Sequence, residues 1–325
     1  MSARRRRGTR RRRRAARAIV ASVFLLGAAA AALVALVTVS TAAPGSSTTT
    51  SSSVPPTTTS RTTSTSPSST TSSIPLTSTT TPGLNGPRRG LATPIALPAS
   101  RRGILSGDVI TVDPGHNGEN YAHASYIDRL VWNGREDEAC DTTGTSTDAG
   151  YTEAQFNWNV AIDLETDLRN LGATVVLTRS SNTTYGPCIT QRAAIGNRGH
   201  AAVAISIHAD GGPPNGRGFA ILTPVADGIN NTIVMPSLQF ARALRTAFLR
   251  TGMPVSTYDG KDGIQPRDDL GGTNLSTVPK VFLECGNMRN ATDAALLVDP
   301  RWQRTAAAAI ANGMVAYLRE VGRTR

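Results

Sequence analysis

The chain has 325 residues, 39% hydrophobic and 5% aromatic, which is room for one large domain with accessory segments and excludes two full enzymes. Its formal net charge of +11, from 34 Lys and Arg against 23 Asp and Glu, suggests a polyanion binder, but ten of the arginines fall within residues 4–17. The other 24 basic residues balance the 23 acids, so the body of the protein is not a basic surface and no nucleic-acid partner is expected.

Residues 1–17 read as a basic cytoplasmic tail. Residues 18–37 form a 20-residue apolar run broken only by Ser22 and Gly27, long enough to cross a hydrocarbon core of roughly 30 Å. We read 18–38 as a transmembrane segment or signal sequence. Thr41-Ala42-Ala43 offers a cleavage site, while the length of the run favours an uncleaved anchor. The positive charge precedes the run, so everything after it is expected outside the cytoplasmic membrane. Residues 39–102 are rich in Ser, Thr and Pro and have little to bury, as in a disordered linker, and 87–102 remain irregular. Globular patterning begins near Ile104, giving a single catalytic domain over 103–325.

Within that domain, runs at 109–113, 174–178, 202–207, 218–222 and 280–284 predict strands, several apolar on both faces as buried parallel strands are. Phe156, Val160, Leu164, Leu168 and Leu171 recur at helical spacing and Gly172 stops the pattern. Further helices are expected at 189–198, 236–250 and 302–321. Alternating strands and helices mean an α/β domain with a mostly parallel sheet, in which ligands gather at the carboxyl ends of the strands. Two of the four histidines, His116 and His208, directly follow or end buried strands, and the last strand ends at Glu284. Two neutral imidazoles and a carboxylate make a catalytic zinc shell with its fourth position open. Glu153 is the preferred carboxylate because it opens the helix whose apolar stripe starts at Phe156, although a first-turn Glu also suits the helix dipole.

Val112-Asp113-Pro114-Gly115-His116, Thr152-Glu153, Leu177-Thr178-Arg179, Ala204-Ile205-Ser206-Ile207-His208-Ala209-Asp210 and Leu283-Glu284 followed by Asn290 together resemble the zinc-dependent N-acetylmuramoyl-L-alanine amidases of bacterial peptidoglycan. The resemblance covers nearly all of the globular domain in the family's motif order. It implies a twisted, mainly parallel sheet between helices, His116, Glu153 and His208 as Zn2+ ligands, and Glu284 as the catalytic acid/base. It also implies peptidoglycan or muramyl peptides as substrate, with the amide between N-acetylmuramic acid and L-alanine as the bond cut. One departure is the 36 residues between His116 and Glu153 where the family has a short loop; Glu119, Glu136 and Glu138 in this insertion are rival ligands. A catalytically inactive, membrane-tethered regulator and a different zinc peptidase are the competing readings.

Asp113 reads either as the partner of a ligating imidazole or as a turn residue. Arg179 and Arg192 match family arginines and are expected in structural salt bridges, His123 and His200 on the surface. Strand alternation turns Cys285 away from Glu284. Export permits oxidation, and Cys140 and Cys188, in loops flanking the rim, are expected to form a disulfide. Some division-associated relatives carry a blocking helix near the zinc; here the segment between 222 and 236 is too short for one, which predicts an open site. A monomer is expected.

Overall fold

The structure, a computed structural model, describes residues 90–324. The basic tail, the apolar run and most of the linker lie outside the described residues. Among the described residues no helix is long and apolar enough to cross a membrane.

The strands are β1 (Ile95–Leu97), β2 (Val109–Pro114), β3 (Leu130–Trp132), β4 (Asp137–Ala139), β5 (Thr174–Leu177), β6 (Val203–Asp210), β7 (Ala220–Pro224), β8 (Ile264–Arg267) and β9 (Lys280–Asn287). Seven form one sheet in the order β1-β5-β2-β6-β9-β7-β8, and β3 pairs with β4 in a separate hairpin. The helices are α1 (Ala124–Ile127), α2 (Glu153–Asn170), α3 (Ile189–Arg198), α4 (Val234–Phe248), α5 (Gly271–Asn274), α6 (Ala291–Leu297) and α7 (Pro300–Glu320).

The sheet is mixed but mostly parallel, as expected, with four of its six strand pairings parallel. Its centre, β5-β2-β6-β9, is parallel, while β1 is antiparallel to β5 and β7 antiparallel to β9. The connections explain the directions, because a parallel return needs a crossover, usually a helix. Helix α2 lies between β2 and β5, α3 between β5 and β6, and α4 between β7 and its parallel neighbour β8. The segment 211–219 after β6 holds no helix, so β7 runs back the other way. One correction concerns the linker: Ile95–Leu97, inside the stretch expected to be irregular, pairs with Val175–Leu177.

The central strands are buried on both sides, but the two sides differ. Ile110, Val112, Ile205, Ile207, Val281 and Leu283 belong to the main apolar core with Phe156, Val160, Leu164 and Leu168 of α2. Helices α2 and α4 both pack on α7. On the other side the strands carry Thr111, Asp113, Ser206, His208 and Lys280, all buried. Helix α3 covers part of that side, with Gly196 against Thr111. Its first residue follows Cys188, which is bonded to Cys140 at the end of the β3–β4 hairpin, so the expected disulfide is present.

Candidate metal centre

Strand β2 ends at Pro114, and the chain turns through Gly115 to bring out His116 with φ 53°, in the left-handed region. Gly115 is required here, since a Cβ at this position would run into the His208 imidazole. His208 stands in β6, its ring stacked on Phe282 of β9 at 3.8 Å. Glu153 opens α2 behind the N-cap Thr152, whose side chain accepts from the Gln155 amide. Three separate elements therefore aim these side chains at one point.

His116 Nε2 lies 3.2 Å and His208 Nδ1 2.8 Å from Glu153 Oε1. The imidazoles meet edge to face with centroids 4.8 Å apart. One ligand atom from each of the three residues lies within 4.8 Å of the others, the one group of this kind among the described residues. Glu153 Oε2 accepts the Thr145 amide at 2.9 Å, so its carboxylate is held from behind. The rival carboxylates do not join: Glu138 lines the same cavity and accepts the Gly271 amide at 3.2 Å, while Glu119 and Glu136 stand outside it.

Burial opposes charge throughout the group, and the pairing decides where it survives. The Glu153 carboxyl is held well below its ordinary range because the His116 and His208 imidazoles outweigh its burial. His116, likewise buried, is raised to about 10 by Glu153 and Asp141. Burial pushes His208 down. Glu284 stands beside His208 in the β6–β9 register. Its Oε2 is buried with no hydrogen-bond partner, and burial together with Glu153 and Asp210 raises its pKa well above the usual carboxylate value. The shifts thus oppose one another across the site, favouring the charged forms of Glu153 and His116 and the protonated form of Glu284. Cys285 points to the apolar side, as alternation requires. The four side chains line a cavity of about 390 Å³ whose apolar wall includes Ile189, Leu270 and Phe282. No helix occurs in 225–233 between β7 and α4.

Asp113 is not the partner of an imidazole. It accepts from Thr178 at 2.7 Å, Arg192 at 2.9 Å, Ser206 at 3.0 Å and Lys280 at 3.0 Å, as the centre of a buried ionic cluster. Arg192 extends that cluster to Asp141 at 3.0 Å, in the salt-bridge role expected of it. Arg179 departs from expectation: it is fully buried and donates to the carbonyls of Pro114, Ala154 and Ser181. It braces the turn that presents His116. His200 is exposed, whereas His123 is half-buried and stacks on Tyr185 at 3.8 Å.

Sequence reasoning missed two groups here. Asp141 places Oδ1 3.4 Å from His116 Nδ1; the signal was its neighbour Cys140, already placed at the rim. Lys280, one of only two lysines in the chain, opens an apolar strand, and that mismatch was its signal.

The family described as N-acetylmuramoyl-L-alanine amidase matches this chain over residues 110–316. N-acetylmuramoyl-L-alanine amidase Rv3717 of Mycobacterium tuberculosis is 38% identical over 236 residues, covering 72% of this chain and 96% of that protein. The crystal structure of the N-acetylmuramyl-L-alanine amidase Ami1 from Mycobacterium smegmatis superposes with a TM-score of 0.63 at 38% identity, over 66% of this chain and 99% of its own. Apo Ami1 from Mycobacterium abscessus gives 0.62 at 39% identity, over 66% and 100%. A family match across more than half of the chain, together with these relatives, shows that the chain belongs to the N-acetylmuramoyl-L-alanine amidase family.

Proposed function

We propose that this protein hydrolyses the amide bond between N-acetylmuramic acid and L-alanine in peptidoglycan, with zinc held by His116, Glu153 and His208. The observation that carries the reading is the convergence of two imidazole nitrogens and one carboxylate oxygen within 4.8 Å, beside the unpartnered Oε2 of Glu284. The donor set fits the metal: two neutral imidazoles and a carboxylate suit zinc and leave a coordination position for water or substrate. Bound there, zinc would lower the pKa of a water and polarise the lactyl amide carbonyl.

The protein's own groups supply the remaining steps. Glu284, as the carboxylate, accepts a proton from the attacking water and delivers it to the leaving nitrogen of L-alanine. Its position beside His208 in register keeps it next to the ligands without making it one. The apolar wall limits the water that reaches the cavity. The loop 225–233 carries no helix over the site, which supports activity without an activating partner. The substrate puts the reaction outside the cytoplasmic membrane, and the arginine cluster before the apolar run 18–37 supports export.

Digestion of intact sacculi followed by mass spectrometry tests the assignment. The expected products are stem peptides with a free L-alanine amino group and glycan with free lactyl carboxylates. Cleavage inside the stem would identify a different zinc peptidase, and no cleavage would favour the inactive regulator.

A further inference from the structure

We infer that the segment inserted between His116 and Glu153 is part of the metal centre, and that its Asp141 is a positioning residue that fixes the His116 imidazole for metal binding. The inference rests on the reading of His116, Glu153 and His208 as a metal site.

The three ligands are not held equally. His208 lies within a central strand and is stacked on Phe282. Glu153 sits in the first turn of an 18-residue helix and is hydrogen-bonded from Thr145 and Ala209. His116 lies beyond the end of β2 in a left-handed backbone conformation, where a strand no longer sets its direction. Something outside the sheet must orient it.

The inserted segment does this through the ring nitrogen that faces away from Glu153. His116 Nδ1 has the Thr142 carbonyl at 3.1 Å, the Thr142 Oγ1 at 3.2 Å and Asp141 Oδ1 at 3.4 Å. With acceptors on this side, the proton of the neutral ring sits on Nδ1, and the Nε2 lone pair is left to face the metal position. Asp141 also fixes the nearest of these acceptors, because its Oδ1 accepts the Thr142 amide at 2.8 Å and closes the turn that aims the Thr142 carbonyl. Asn120, from the same insertion, donates to that carbonyl at 2.7 Å.

Asp141 is itself gripped twice from one helix end. The preceding residue, Cys140, is bonded to Cys188, directly before α3. In the first turn of α3, Arg192 pairs with Asp141 Oδ2 at 3.0 Å. A purely structural account would have Asp141 there to satisfy Arg192. That guanidinium already has Asp113 at 2.9 Å and the carbonyls of Pro114 at 2.8 Å and Pro187 at 2.9 Å. Asp141 meets Arg192 through Oδ2, and its other oxygen, Oδ1, is directed at His116. Partners on the non-ligating nitrogen of a metal-bound histidine fix its tautomer and raise its basicity, and their loss costs about 10- to 100-fold in metal affinity.

The test titrates the metal-free full-length chain with zinc against a chromophoric chelator. Asp141→Ala and Asp141→Asn are expected to bind zinc about 10-fold more weakly, or worse. Metal-free Asp141→Asn should melt lower than the parent, since it loses the charge paired with Arg192, but far-UV circular dichroism at the titration temperature should show it folded, because Asn keeps the shape and an acceptor for Arg192. If Asp141→Ala does not fold, the Asn variant alone decides. Folded Asp141 variants with parental zinc affinity would overturn the proposal, provided His116→Ala loses zinc in the same assay. Unchanged affinity in His116→Ala would instead remove the metal-site reading and this proposal with it.

Discussion

The two sides of the central strands are both lined by buried side chains and are held by different physics. On one side Ile110, Val112, Ile205, Ile207 and Leu283 are fully buried among helices, and the stabilisation is area removed from water, which has no direction. On the other side, one residue along each strand, Asp113, Ser206 and Lys280 are buried in a cluster whose every member is paired. Buried charges survive only when paired and hydrogen-bonded, so this side tolerates little change in geometry. The candidate metal group and Glu284 occur on the second side. A site that needs fixed directions is built where the packing already fixes them.

The largest expected effect separates function from stability on that side. Glu284→Gln should cost roughly 10²- to 10⁴-fold in turnover, the scale of a positioned acid/base, while zinc content by elemental analysis and the thermal midpoint stay near those of the parent. Burial and the neighbouring Glu153 and Asp210 push Glu284 toward its protonated form, and an uncharged amide of the same shape suits the same surroundings. Zinc loss in this variant would make Glu284 a ligand and remove Glu153's claim.

Next comes the ionic cluster itself. Asp113→Ala strands Lys280 and leaves Arg192 with Asp141 alone, and breaking a buried pair by removing one partner costs about 3–5 kcal/mol. Chemical denaturation should show it. The same cluster predicts an acid-sensitive fold. Burial alone would raise the Asp113 pKa, but Lys280 and Arg192 hold it far below the ordinary carboxylate value. Asp141, opposed by burial in the same way, is held down to about 2 by Arg192 and His116. A depressed folded-state pKa contributes stability that is fully present above the unfolded value of about 4 and drains away as the pH falls below it toward the folded value. The melting temperature should therefore fall below about pH 4, with a shallower slope in Asp113→Asn. Identical slopes would place the acid sensitivity elsewhere.

How much of this was legible followed the same division. Phe156, Val160, Leu164 and Leu168 repeat over an 18-residue helix, so the apolar side announces itself by period. Strands β1 and β8 have three and four residues, too few for a period. Pro266 lies in β8, which the edge of the sheet tolerates. The antiparallel β7 was encoded in the helix-free segment 211–219, a matter of connection rather than of pattern. His116, His208 and Glu284 were visible because polar residues at the ends of apolar strands stand out. Asp113 was visible and its partner misjudged, since Lys280 lies 167 residues away and reaches it only through the β2-β6-β9 order. Asp141 lies in an insertion without periodicity, where a contact with His116 leaves no local trace.

The smallest effect is the one that sharpens the comparison most. Ile207 is fully buried on the apolar side, immediately before the candidate ligand His208 in β6 and in register with Pro114 and Leu283. Ile207→Val removes one methylene and should cost about 0.5–1.5 kcal/mol by chemical denaturation. Because alternation turns neighbouring side chains to opposite sides of the sheet, the lost group touches none of the ligands. Turnover and zinc affinity should therefore stay within about twofold of the parent, despite a neighbour that belongs to the metal centre. A tenfold loss of zinc affinity would mean that the apolar packing transmits strain through the strand into the site, and the two sides would then have to be treated as one mechanical unit.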